Sequence, residues 1–439
     1  MWIFLGVLAF ALALLFSIAW HEAGHLTFAK LFGVRTTQYM VGFGRTIWSK
    51  QVGETEYGIK AIPLGGYIRM IGMVPPGKDG KQKITTTAMG VAGFVRNIVE
   101  ETRAGDRSQV TPADDGRQFY QLHPFKRIII MAAGPVMNLI LAVGIFAVLL
   151  VGIGAKLPST TISQVNECVI PAAAVGQTQQ TECGPGDRPT PAAEAGLLPG
   201  DTVTAFDGTP VTSWDQFTAL IQASAGRTVQ IEFTRDGQSQ VAAVEITDNQ
   251  RPVLDDDGNQ VGVKIAGFLG VASLPTYQPQ SIGAAVVATG DFIGRTAHAV
   301  VSIPERIPAL WNSILGAPRS IDSPMGVVGI GRIGGEILDT DQTSAQDKLV
   351  MFLSLIAGLN MSLFLINMLP LLPLDGGHIL GAVIEWVRKG WARLRGKADP
   401  GPFDVAKLMP VAYLVALLFI GLTALTLVAD IVNPVKLFG

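Results

Sequence analysis

AFALALLFSIAWHEAGHLTF, Ala9–Phe28, decides how the rest of the chain is read. Trp2–Trp20 contains no charged residue, and about 20 consecutive apolar residues are what a helix needs to cross a bilayer core. The run then meets His21, Glu22 and His25. Histidines four positions apart share one face of a helix. Ionisable groups at that depth cost roughly 3 kcal/mol or more each unless they are partnered or used. No basic residue precedes Lys30 and no small-residue cleavage site precedes the histidines, so the run reads as a span rather than a removed leader.

Composition agrees with a membrane reading. Of 439 residues, 49% are hydrophobic and 15% charged, with a mean hydropathy of +0.38; an ordinary soluble domain carries roughly a quarter charged residues. The net charge of −2 excludes a nucleic-acid binder, which needs a basic excess to neutralise phosphates. Three further uncharged stretches are long enough to span: Ile128–Ala155, Leu349–Leu374 and Pro410–Ala429. Lys30 and Arg35, Lys126 and Arg127, then Arg388, Lys389, Arg393 and Arg395 flank one side of these spans. By the positive-inside rule that side is cytoplasmic, which puts both termini and the long region between spans two and three outside. Cys168 and Cys183 are the only cysteines and lie in that external region, where a disulfide can persist.

Between the first two spans, VGFGRTIWSK and ETEYGIKAIPLGGYIRMIG alternate like the strands of a β-hairpin or meander punctuated by glycine. Gly42, Gly44, Gly65 and Gly66 mark strands able to dip into the membrane, where an open edge is tolerated only if protein or substrate covers it. Pro75–Asp115 is polar, mixed in charge and aperiodic, and is expected to be a flexible cytoplasmic insert. Gln280–Leu315 is amphipathic but interrupted by Asp291, Arg295, Glu305 and Arg306, so it is expected to lie on the surface rather than span.

His21-Glu22-x-x-His25 is the arrangement in which two imidazoles hold zinc and the glutamate addresses a water on the same ion. Catalytic zinc takes a third protein ligand and keeps its fourth position open. The best third ligand lies in NMLPLLPLDGGH, Asn367–His378. Counted from the outer ends of spans one and three, His21 and Asn367 both lie about 27 Å deep at ~1.5 Å per residue. Pro370 and Pro373 break the third helix, and Gly376–Gly377 permit a tight turn, so an unwound segment can hold Asp375 level with the histidines. His378 competes as a ligand but lies farther toward the cytoplasm and reads as orienting that turn; His123 and His298 read as interfacial or solvated. A zinc transporter would need ligands spread along a path across the bilayer, whereas these converge at one depth. An idle scaffold would have no need of Glu22.

The chain resembles the site-2 proteases, zinc intramembrane metalloproteases of bacterial type, and among them the single-PDZ actinobacterial form. The resemblance rests on HEAGH, VGFG, PLGGY, AAGPVMN (Ala132–Asn138) and NMLPLLPLDGG. Gly196, Leu197, Gly200, Asp201 and the turn Asp207–Gly208 resemble a PDZ domain of the bacterial protease type over Thr160–Ile265. The resemblance implies zinc, one per chain, on His21, His25 and Asp375, with Glu22 as general base and Asn367 beside the substrate backbone. It implies that Gly42, Gly44, Gly65 and Gly66 accept an unwound peptide by strand addition. Gly134 and Asn138 read as packing residues. The implied substrates are single-pass membrane proteins such as anti-sigma factors, trimmed first by a site-1 protease, and the implied role is transmembrane signalling. The PDZ domain would filter substrates, recruit them or act only as a spacer.

The expected fold class is therefore a mainly α-helical polytopic membrane protein with four transmembrane helices, a membrane-associated β-hairpin or meander and an inserted extracytoplasmic PDZ domain. The expected division is first span 1–34, re-entrant β-loop 35–74, cytoplasmic insert 75–125 and second span 126–155. The Cys-bounded segment with the PDZ domain follows at 156–268, then the amphipathic region at 269–345 and the third span with LDGG at 346–377. A cytoplasmic loop at 378–408, a fourth span at 409–432 and an external tail at 433–439 complete it.

Overall fold

The computed structural model describes residues 2–76, 110–170, 182–254 and 260–437. It divides into two compact units, residues 1–149 with 282–439, and residues 150–281. Among the described residues, four helices are long and apolar enough to cross a membrane, Trp2–Leu31, Pro124–Ile153, Ala345–Asn367 and Val405–Val432. The expected class, mainly helical with a β-hairpin and an inserted β-rich unit, is the observed one.

The first unit begins with α1 (Trp2–Leu31). Its N-terminal half exposes Phe4, Leu12 and Phe16, as suits a helix apolar on every side that meets lipid. β1 (Thr36–Val52) and β2 (Thr55–Met70) then form an antiparallel hairpin. Val52 pairs with Thr55 at the turn and Val41 with Gly66 nearer the base. Gln38–Val41 also have a second set of partners, Glu56–Ile59, that rises in step with them. The tip of the hairpin is thus folded back beside its own base. Gly42 and Gly44, with φ of 94° and 81°, make the bend in left-handed conformations that side chains resist. Of the expected flexible insert, 77–109 lie outside the described residues, but its end is packed: Asp114 is buried and accepts two hydrogen bonds from Arg35 at 2.9 and 3.0 Å. The span helix α2 (Pro124–Ala147) follows, with Pro124 in its first turn, where no N–H is missed.

The second unit contains β3 (Ala155–Val165), β4 (Thr202–Phe206), β5 (Thr209–Pro210), α3 (Trp214–Ala223), β6 (Thr228–Arg235), β7 (Gln238–Glu245), β8 (Thr247–Leu254), β9 (Gln260–Phe268) and β10 (Val271–Gln278). The sheet runs β10-β3-β4-β6-β7 with β5 on β4, and β8–β9 form a separate hairpin. Ser213 starts α3 by accepting a hydrogen bond from the Gln216 N–H. Phe217 and Ile221, four apart, bury one helical face against Phe206, Val229 and Ile231. Truncating Phe217, which is fully buried, would cost about 3–5 kcal/mol. Cys168 and Cys183 are joined as a disulfide, a loop closure contributing up to about 3 kcal/mol.

The first unit resumes with α4 (Ile282–Val301), α5 (Ile303–Ile314), α6 (Val327–Asp339), α7 (Ala345–Asn367), α8 (Asp375–Leu394) and α9 (Met409–Val432). Helices α4, α5 and α6 all fall within residues 269–345; α6 packs on α1, with Gly331 and Gly334 against Phe10. The third span ends at Asn367, earlier than the expected Leu374, and the expected loop at 378–408 begins as helix α8. Gly376 and Gly377 are the first turn of that helix rather than a tight turn. A side chain at either would strike the backbone of the Leu369–Leu372 loop. That close approach seats the start of α8 against the end of the broken span.

Candidate metal centre

His21 and His25 stand one turn apart on α1, and Asp375 opens α8. Their ligand atoms form a near-equilateral triangle. His21 Nε2 lies 3.2 Å from Asp375 Oδ2, His25 Nε2 lies 3.3 Å from that oxygen, and the two Nε2 atoms are 3.2 Å apart. Edges of this length belong to a tetrahedron whose centre is about 2.0 Å from each corner, the usual zinc–nitrogen and zinc–oxygen distance.

Proton bookkeeping points the same way. His25 Nδ1 lies 2.7 Å from the Ile130 carbonyl and must donate to it, which in the neutral ring leaves Nε2 as a lone pair. That lone pair faces Asp375 Oδ2, also an acceptor and without any hydrogen-bond partner. Acceptors converging on one point call for a cation, and the donor set, two imidazoles and a carboxylate, suits zinc. Gly134 on α2 makes room for the ring: a side chain there would overlap His25 Nε2. The expected packing role of Gly134 thus has a specific object, the His25 imidazole.

Glu22 is buried beside the triad and shares with it a cavity of about 430 Å³. Of the expected substrate-contacting residues, Gly65, Gly66 and Asn367 line this cavity, whereas Gly42 and Gly44 do not and serve the hairpin bend. The Gly66 end of β2 comes against α1, where a side chain would lie 3.0 Å from Glu22 Cγ. His378 lines the cavity outside the triad, and its buried Nδ1 has no hydrogen-bond partner, so that nitrogen does not orient the turn. His123 caps α2 by accepting from the Phe125 N–H, and His298 is exposed.

One part of the site escaped the sequence. Arg127, read there only as a flanking cation, is buried and pairs with Glu385 of α8. Glu385 also accepts the Phe403 N–H at 2.7 Å. The pair ties α8 to α2, the helix that carries Ile130 and Gly134. A buried charge in an apolar helix was the available signal, but its partner is 258 positions away.

The profile of peptidase family M50 matches residues 9–398. Zinc metalloprotease Rip1 of Mycobacterium tuberculosis (strain H37Rv) is 36% identical over 99% of this chain and 98% of its own length. Rip1 of Mycolicibacterium smegmatis is 34% identical over 99% of each. Zinc metalloprotease RasP of Oceanobacillus iheyensis is 27% identical over 87% of this chain and 91% of its own. Among solved structures, the PDZ domain of an SdrC-like protein from Listeria monocytogenes is 20% identical, covering 27% of this chain and 94% of that one, with a TM-score of 0.16. With the profile spanning its HExxH helix, its hairpin and its LDGG helix alike, the chain belongs to peptidase family M50, the site-2 protease family of zinc metalloproteases.

Proposed function

We propose that this hydrolase cuts peptide bonds within transmembrane segments of single-pass membrane proteins, anti-sigma factors among them, after a site-1 protease has trimmed their external part. The carrying observation is the acceptor triangle of His21, His25 and Asp375 beside Glu22, in a cavity among apolar helices. One zinc per chain would be held by those three side chains. When bound, zinc polarises the scissile carbonyl and acidifies a water.

The chain's own groups do the rest. His25 is held in one tautomer by Ile130, and Asp375 brings a negative charge to the ligand set. Glu22 takes a proton from the attacking water and returns it to the departing amide nitrogen. A substrate helix has its amides bonded internally, so it must unwind before attack. The segment of β2 from Gly65 to Ile68 lines the cavity and offers a strand edge to the unwound segment. Asn367 faces the same cavity and orients the peptide there.

The cations flanking the spans support a plasma-membrane topology with the termini and the 150–281 unit outside and the zinc site toward the cytoplasm. The 150–281 unit acts as a PDZ-type size filter. Purified protein with zinc and a membrane-spanning peptide should cleave it, and the Glu22→Gln variant should not; equal turnover by both would reject the mechanism. Deleting Thr160–Ile265 should leave zinc binding intact and permit cleavage of untrimmed substrate. Unchanged discrimination would reject the filter, and weaker cleavage of trimmed substrate would mean recruitment instead.

A further inference from the structure

The cavity wall holds a polar group that this mechanism does not use. Asn138, on α2, is fully buried and lines the cavity, yet neither its Oδ1 nor its Nδ2 has a hydrogen-bond partner. Inside an apolar helix bundle no water-rich surface relieves such an amide, and leucine would fill the space without that penalty. By contrast Asn360, equally buried, leaves only its Oδ1 unpaired and donates from Nδ2 to Ser17 Oγ and the Ile356 carbonyl, both at 2.9 Å, as an amide serving the fold does. Asn138 also stands one turn beyond Gly134, on the face of α2 that meets the His25 ring. It is therefore close to the metal centre and unengaged.

An extended peptide needs such a group. Laid along β2, it turns part of its N–H and C=O groups to that edge and the remainder away from it. In a site walled largely by apolar helices the groups turned away need a partner from the protein. One carboxamide offers both a donor and an acceptor. We infer that the Asn138 side chain binds the backbone of the unwound substrate on the side that the β2 edge does not reach, and so is a second anchor for the scissile segment. The inference rests on the intramembrane-protease reading.

The test uses full-length, zinc-loaded Glu22→Gln protein in bilayers, measuring binding of an uncleaved membrane-spanning peptide. Adding Asn138→Leu should weaken binding about tenfold, within the range for an unsatisfied backbone partner, with zinc content unchanged and thermal stability unchanged or raised. Asn138→Ala serves where leucine prevents folding. Peptides carrying one ester in place of one amide locate the contact: at one position the ester and the Asn138 substitution should be non-additive. Unaltered affinity in both variants, or additive ester effects throughout, would overturn the inference while leaving the protease reading intact. If zinc-loaded wild-type protein neither cleaves nor binds the peptide, both readings fall.

Discussion

Asp375 and Asp430 are both aspartates at helix ends of the same unit, and they are treated in opposite ways. Asp430, near the end of α9, is closed on every side. Its Oδ1 accepts from Arg319 Nη2 at 2.9 Å, and its Oδ2 accepts the N–H groups of Gly326 and Gly329 at 2.9 and 2.8 Å. Those N–H groups open α6, where the helix dipole favours a carboxylate. Asp375 Oδ2 has no partner outside the triad and faces two imidazole nitrogens at 3.2 and 3.3 Å. A carboxylate that has found its donors within the protein holds elements together; one that converges with two imidazoles forms a ligand set that suits a cation.

This contrast can be broken by experiment. The largest effect is expected from Glu22→Gln, which alters neither aspartate: zinc should stay and cleavage should fall by about two to four orders of magnitude, the range for a lost general base. Loss of zinc along with activity would make Glu22 part of the ligand set. Next, Asp430→Ala leaves Arg319 buried without its counter-charge, which costs about 3–5 kcal/mol, read as a lower unfolding midpoint with zinc still bound by the surviving folded protein. An unfolding midpoint equal to wild type would show that the closed site does not hold α6 to α9.

Asp375→Ala should do the converse, lowering zinc affinity by about a hundredfold or more, while His378→Ala changes it by about tenfold at most. Zinc lost only in the His378 variant would reassign the third ligand. The smallest effect concerns a second closed carboxylate, Asp201 of the 150–281 unit. Burial raises its pKa, but Arg235, at 2.7 Å to each oxygen, and the Leu198 N–H outweigh this and hold it below the usual 3.8. A depressed pKa adds stability that is present above the unfolded-state value and lost as pH falls through the folded one. Amide exchange around Val203–Phe206 should therefore quicken below about pH 4 in the wild type, and Arg235→Leu should flatten that dependence. An identical profile in the variant would assign the acid response elsewhere.

The sequence by itself determined the spans, the shared face of His21 and His25, and the break in the third span ahead of Asp375. Each follows from a short-range regularity: apolar run length, the 3.6-residue period, and prolines that end a helix. Only the tertiary structure decided what meets those residues. Gly134 vacates the space that the His25 ring fills, and Ile130 fixes its tautomer, from a helix about a hundred positions away. The fold-back of the hairpin, the seat of α6 on α1 and the pairing of Arg127 with Glu385 are likewise contacts between distant segments. No local pattern encodes them, because a buried group is indifferent to how far along the chain its partner lies and requires only that packing bring it there.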